Sequence, residues 1–205
     1  MLGGNCVLVI GLCGASGSGK GTVSAILKKR NIPCLDTDEL YHRLIEGPSD
    51  CTSDLTKSFG TAILGENGGI NRKVLADVVF SDQTGQKHKK LNEITHYHIH
   101  KETVRWIEKY RTKEFAAVCI DAPMLFESHF DRDCDVTVAV LADEETKIKR
   151  IEQRDHISEE KAKMRLAHQI SDAELLKKCD YALQNTQTVQ ALETQIEQLI
   201  EKLLH

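Results

Sequence analysis

The sequence predicts an α/β fold: a five-stranded parallel sheet flanked by helices, with a helical insertion and a lid. Three observations predict it. Five apolar runs of strand length (6–12, 32–35, 116–120, 136–141 and 181–183) are nearly continuous rather than alternating, as strands covered on both faces are. Helix-period segments separate these runs, the pattern of a sheet wound with helices. The first run leads directly into "IGLCGASGSGKGTV", Ile10 to Val23, where five glycines surround one lysine.

Taken in order, Cys6 to Leu12 reads as a buried strand, and Val23, Ile26 and Leu27 as the stripe of the helix that follows the glycines. Ile32 to Leu35 is the second strand, and Asp36 and Asp38 lie just beyond it. Roughly 80 residues then precede the third run, more than one crossover needs, so this interval holds an inserted unit. Its clearest feature is Leu91, Ile94, Tyr97, Val104, Ile107 and Tyr110 at helical spacing, after a loose "GPSD" opening and an "ENGG" turn. Val189, Leu192, Ile196, Leu199 and Leu203 form an amphipathic C-terminal helix that packs back on the sheet. The chain therefore reads as one domain, 1–205, with core segments 1–42, 113–146 and 173–205. A helical insertion spans about 43–112 and a lid about 147–172.

Composition narrows the class of function. The 205 residues carry a net charge of −4 and 40% apolar residues, so there is no global basic field to attract nucleic acid or an anionic membrane. The opening residues lack a basic leader, and their apolar run is too short to span a bilayer. Seven dispersed cysteines (Cys6, Cys13, Cys34, Cys51, Cys119, Cys134, Cys179) contain no C-x-x-C pair. They read as reduced packing thiols of a cytoplasmic protein. "HYHIH" places His96, His98 and His100 two apart, but the surrounding helical stripe splays them, which argues against a metal site.

From Gly14 the spacing is G-x-x-x-x-G-K, ending at Gly19 and Lys20, after a strand and before a helix. Glycine reaches backbone angles closed to other residues, so successive N–H groups can turn inward around an anion at the positive end of the next helix. Gly14, Gly17, Ser18, Gly19, Lys20, Gly21 and Thr22 are thus the expected ATP phosphate cradle, with Lys20 the mobile charge for the outer phosphates. The usual Ser or Thr after the lysine is replaced by Gly21, and Thr22 comes one place late. Direct metal ligation at residue 21 is impossible. Mg²⁺ is therefore expected to be held mainly through water and phosphates, with Thr22, Asp36 and Asp121 as the water-mediated candidates.

Asp36 and Asp38 would share one side if the second strand continued, and the carboxyl ends of parallel strands face the ligand crevice. One acid could take a hydroxyl proton and the other organise metal-bound water; the alternative is a helix cap. Asp121 closes the apolar run "AAVCID", either as a metal-side acid or as a cap. Lys147, Arg150 and Arg154 fall at i, i+3 and i+7, a cationic stripe that either closes over phosphates or is a solvated face with Glu145 paired to Lys149.

Together these segments resemble the dephospho-CoA kinase family, from near residue 8 to near residue 200. "DTDELYHR" is similar to its D-x-D-x-x-x-R, giving Asp36, Asp38 and Arg43. "GGINRKVLADVVF" resembles G-x-(I/L)-D-R-x-x-L-x-x-x-V-F and preserves Arg72. "LNEITH" matches L-N-x-I-x-H at His96, "DAPMLFE" resembles D-x-P-L-L-F-E with Glu127, and "RIEQRD" resembles R-x-x-x-R-D with Arg150 and Arg154.

The resemblance implies a P-loop kinase fold and ATP-dependent phosphorylation of the ribose 3′-hydroxyl of dephospho-CoA, the last step of coenzyme A biosynthesis, with Mg²⁺. It implies Asp38 as the base, Lys20, Arg150 and Arg154 as catalytic cations, and Asp36, Arg43, Arg72, His96 and Glu127 on the acceptor. Gly21, Asn71 (for an Asp) and Tyr97 (for a Pro, near a helix entry) depart from the family pattern. A cytidylate-like nucleoside monophosphate kinase is the alternative, since "GKGT" is its form, followed by a non-catalytic nucleotide-binding module. A GTP switch would carry N-K-x-D, which does not occur. Oligomeric state is not legible.

Overall fold

The computed structural model describes residues 7–113 and 115–204; Cys6 of the first predicted strand lies outside them. The strands are β1 (Leu8–Cys13), β2 (Cys34–Asp36), β3 (Ala117–Asp121), β4 (Val136–Leu141) and β5 (Tyr181–Gln184). They form one sheet in the order β2-β3-β1-β4-β5. β1 pairs in parallel with β3 and β4, and β4 with β5, so the all-parallel α/β prediction holds. Their near-continuous apolar sequences follow from this position: every residue of β3 and β4 is buried.

Two compact units divide the chain, 1–35 with 107–205, and 36–106. In the first, α1 (Lys20–Lys29) and α9 (Val189–Leu204) cover the sheet, and Val23, Ile26, Leu27, Leu192 and Ile196 pack with Ile10, Leu12 and Val138. Three further helices follow β4: α6 (Glu144–Asp155), α7 (Glu159–Ala167) and α8 (Asp172–Lys178). Ile148, Ile151 and Ala162 join α6 to α7.

The second unit is helical: α2 (Thr37–Glu46), α3 (Asp50–Phe59), α4 (Arg72–Phe80) and most of α5 (Gln86–Arg111). Its core is Ile45, Cys51, Leu55, Ile63, Ile70, Leu75, Val79 and Ile94. The "GPSD" opening is shorter than it reads, because Ser49 accepts a hydrogen bond from Thr52 N and starts α3 at Asp50. On α5 the buried residues include Ile94, Thr95, His98, Ile99 and Thr103, whereas Tyr97 is 62% exposed. The buried stripe follows i+4 steps and accepts polar residues, so the predicted place of Tyr97 in it is corrected. Tyr97 also lies deep within a continuous helix rather than near its entry.

Among the described residues no helix is long and apolar enough to cross a membrane, and no group of His, Cys, Asp and Glu side chains is arranged to hold a metal ion. His98 is instead buried with its Nε2 3.0 Å from Asp54 Oδ2.

Candidate active site

The loop after β1 shows why its glycines are needed. Gly17 and Gly19 have φ of 77° and 98°, a region that side chains disfavour. A Cβ on Gly17 would meet the Lys147 carbonyl oxygen at 2.5 Å, and one on Gly19 would overlap the Asn185 carboxamide. Gly21 is different, because nothing lies within 4 Å of its would-be Cβ.

The start of α1 carries no side-chain cap, whereas Asp36, Ser49, Asn71, Asp143, Ser158 and Ser171 each cap the helix that follows. The uncapped end is the one where the helix dipole favours negative charge. Lys20 spans the loop, its Nζ donating to the Gly14 carbonyl at 2.8 Å. Thr22 is exposed on the first turn.

The outer side of the loop is held by residues far away in sequence. Arg150 donates from Nη1 to the carbonyls of Gly17 at 3.1 Å and Ser18 at 3.3 Å, and from Nη2 to the carbonyl of Asn185 at 3.2 Å. Asn185, buried just after β5, donates from Nδ2 to the Ser18 carbonyl at 2.8 Å. Composition and periodicity gave no reason to single out Asn185; its only signal is its place after a strand's carboxyl end.

The predicted cationic stripe on α6 separates into three roles. Lys147 is buried and bonded to Asp172 at 2.9 Å, so it is not a free lid cation. Arg150 braces the loop. Arg154 makes a two-bond pair with Asp155, at 2.8 and 2.9 Å. Arg165 binds the same carboxylate. The hydrogen bonds from Arg154 and then Arg165 hold Asp155 down at about 2. The pairing of Glu145 with Lys149 is present at 2.6 Å.

Asp121 closes β3, buried, and its Oδ2 accepts from Ser24 Oγ at 2.7 Å. Ser24 was missed in the sequence; it falls one turn after Lys20 on the buried face of α1, an unexpected polar residue among Val23, Ile26 and Leu27. Glu127 is exposed in the turn after β3. At the end of β1, contact with Cys179 at 3.4 Å and burial push the Cys13 thiol up, Lys20 opposes this, and Glu127 adds to it.

In the second unit, β2 does not continue. Asp36 is its last residue and the N-cap of α2, with Oδ1 accepting from Asp38 N at 2.9 Å and Glu39 N at 3.0 Å. The shared-side geometry expected of Asp36 and Asp38 in an extended strand is therefore corrected: Asp38 stands exposed in a first helical turn. Asp36 keeps its capping role and its place at a strand's carboxyl end together.

Arg43 is exposed on α2, His96 is half-buried on α5, and Arg72 opens α4. Arg72 lines a cavity of about 340 Å³ with His42, Ile45, Glu46, Asn67 and Ile70. Asn71 caps α4 by accepting from Val74 N at 3.2 Å, a task that Asn and Asp perform equally, so this departure preserves the helix start.

The model of one protein family, CoaE, dephospho-CoA kinase, matches residues 8–191, which takes in β1, the loop and all of the segments just described. The chain belongs to the dephospho-CoA kinase family. A family member from Lactobacillus johnsonii, a dephospho-CoA kinase, is 34% identical, with 95% of this chain and 97% of that one aligned. A solved Thermus thermophilus protein superposes with a TM-score of 0.80 at 29% identity, covering 97% of this chain and 99% of that chain. The dephospho-CoA kinase from Campylobacter jejuni gives 0.70 at 25% identity, covering 96% of each.

Proposed function

We propose that this protein transfers the γ-phosphoryl group of ATP to the ribose 3′-hydroxyl of dephospho-CoA, giving CoA and ADP. The observation that carries the reading is the uncapped start of α1, with its glycine loop and Lys20, in a chain matched to the dephospho-CoA kinase family over residues 8–191.

The acceptor oxygen bonds to the γ-phosphorus as the bond from that phosphorus to the β,γ-bridging oxygen breaks, and the hydroxyl proton passes to Asp38. Charge grows on the bridging and γ oxygens, where the N–H groups of the loop and Lys20 meet it. Arg150 holds the loop in shape. Arg154 joins the phosphates by exchanging Asp155 for them as the segment 147–172 closes as a lid. Asp36, Arg43, Arg72, His96 and Glu127 position the acceptor.

The donor set suits Mg²⁺. Asp121, Ser24 and Thr22 are hard oxygen groups on the first unit, and Gly21 offers no hydroxyl, so Asp121 and Thr22, with Asp36, would hold the ion through water. When bound it neutralises phosphate charge. Coenzyme A synthesis and dispersed thiols together support a cytoplasmic setting.

The test is product identification after incubation with ATP, Mg²⁺ and dephospho-CoA, with CMP and AMP as alternative acceptors. A product heavier by one phosphoryl group, its new phosphorus on the 3′ oxygen and coupled through it to the 3′ carbon, is expected from dephospho-CoA alone. Faster transfer to CMP, or ATP hydrolysis indifferent to acceptor, overturns the assignment.

A further inference from the structure

We infer that Gln169 is a positioning residue for the phosphate loop. It fixes the Ala15–Ser16 peptide plane, at the entry to the cradle, from the connection between α7 and α8. Its Oε1 accepts from Ser16 N at 2.8 Å and its Nε2 donates to Ser16 Oγ at 3.1 Å, across 153 residues of sequence.

The consequence follows from the rigidity of the peptide unit. In a trans peptide the C=O of one residue and the N–H of the next point in opposite directions. With Ser16 N–H drawn outward to Gln169, the Ala15 carbonyl turns into the loop, where it accepts from Ser18 N at 3.1 Å. In the same way, Arg150 and Asn185 draw the Ser18 carbonyl outward, which turns the Gly19 N–H inward. Gln169 therefore sets the entry to the loop as Arg150 and Asn185 set its exit. Without it the Ala15–Ser16 peptide is held on one side only, by the Ser18-to-Ala15 bond, and the entry to the loop loosens.

The side chain must also be uncharged. A glutamate would still accept from Ser16 N–H, and from the Ser16 hydroxyl acting as donor, so the geometry would survive. It would add a negative charge beside a site built for polyanions.

The inference rests on reading Gly14 to Lys20 as the ATP cradle, so Lys20→Ala is run alongside. Steady-state kinetics on the full chain would compare Gln169→Ala, Gln169→Glu and wild type at low and high salt, with melting curves and ADP binding by calorimetry. Gln169→Ala is expected to raise KM for ATP and weaken ADP binding by up to about tenfold, the worth of a lost hydrogen bond or two. KM for dephospho-CoA should stay near wild type, and the penalty should not vary with salt. Gln169→Glu should melt like wild type and bind ADP poorly at low salt, and approach wild-type binding as salt screens the added charge.

Wild-type ADP binding by Gln169→Ala overturns the inference, as does a Gln169→Glu defect that ignores salt. Should Gln169→Ala unfold, Gln169→Leu, which keeps the bulk and loses both hydrogen bonds, is read in its place, and wild-type ADP binding by it overturns the inference. Undiminished ADP binding by Lys20→Ala would count against the cradle itself, whereas a Lys20→Ala defect beside normal Gln169 variants counts against Gln169 only.

Discussion

Ser24 Oγ donates to Asp121 Oδ2 at 2.7 Å, a bond that joins the first turns of α1 to the carboxyl end of β3 across 97 residues. Both residues are buried and the acceptor is a carboxylate, so the bond belongs to the stronger, charge-assisted kind. Ser24→Ala is expected to destabilise the fold by about 1–3 kcal/mol, read from urea or thermal unfolding. A variant as stable as wild type would mean that this bond contributes nothing net to stability.

Lys20→Ala should lower turnover by roughly 10²- to 10³-fold, because one well-aimed donor contributes on that order to charge stabilisation. Its bond in this structure is to the loop's own Gly14 carbonyl, on the partly exposed side of the loop, so the melting temperature should hardly move. Single-turnover transfer from ATP, beside a melting curve, checks both expectations.

Asp36 and Asp38 can be separated by substitution. Asn caps a helix as well as Asp does, so Asp36→Asn should leave stability nearly unchanged while removing charge; a loss of rate partly recovered by raised Mg²⁺ is expected. Asp38→Asn removes a proton acceptor, and the rate should fall by roughly 10²- to 10⁴-fold without rescue by metal. Single-turnover rates over a Mg²⁺ series distinguish the two. Normal transfer by Asp38→Asn would withdraw its assignment as base.

The Arg154–Asp155–Arg165 cluster has a pH signature. Asp155 is held at about 2 in the folded protein, below its ordinary 3.8, so its pairing stabilises the fold above the ordinary value and is lost as pH falls through about 2. Asp155→Asn should therefore be less stable than wild type at neutral pH, and the gap should narrow between about pH 4 and 2. Unfolding midpoints across that range are the measurement, and a constant gap would contradict it.

Gly21 has open space around it and an ordinary backbone angle, so it tolerates a side chain. Gly21→Ser is expected to match or slightly exceed wild-type stability, by up to about 1 kcal/mol, since glycine loses most entropy in a helix. The added hydroxyl should lower the Mg²⁺ concentration for half-maximal activity. A Mg²⁺ titration of activity tests this.

β1, β3, β4 and the glycine loop were legible because burial on both faces and left-handed angles each leave a mark on sequence, and the short edge strands β2 and β5 were legible from their apolar runs alone. The fate of Asp36 was not, because strand continuation and helix capping place the same residue at the same point. Only the backbone beyond Thr37 decides between them. The cations of α6 read as one stripe, yet Lys147, Arg150 and Arg154 have different partners, supplied by Asp172, the loop carbonyls and Asp155. Spacing along a helix gives a face; it does not say what stands opposite. Asn185 and Gln169 left no local trace because their partners lie 167 and 153 residues away.

The space that forces glycine at positions 14, 17 and 19 is bounded by Val140, Lys147 and Asn185, all in the last third of the chain. During synthesis the motif emerges from the ribosome early, but the walls that shape it arrive only after residue 185. A nascent chain shorter than that carries the letters of a nucleotide site without its form. Capture of nucleotide therefore requires the chain through Asn185, and a purified 1–139 fragment should retain no ADP.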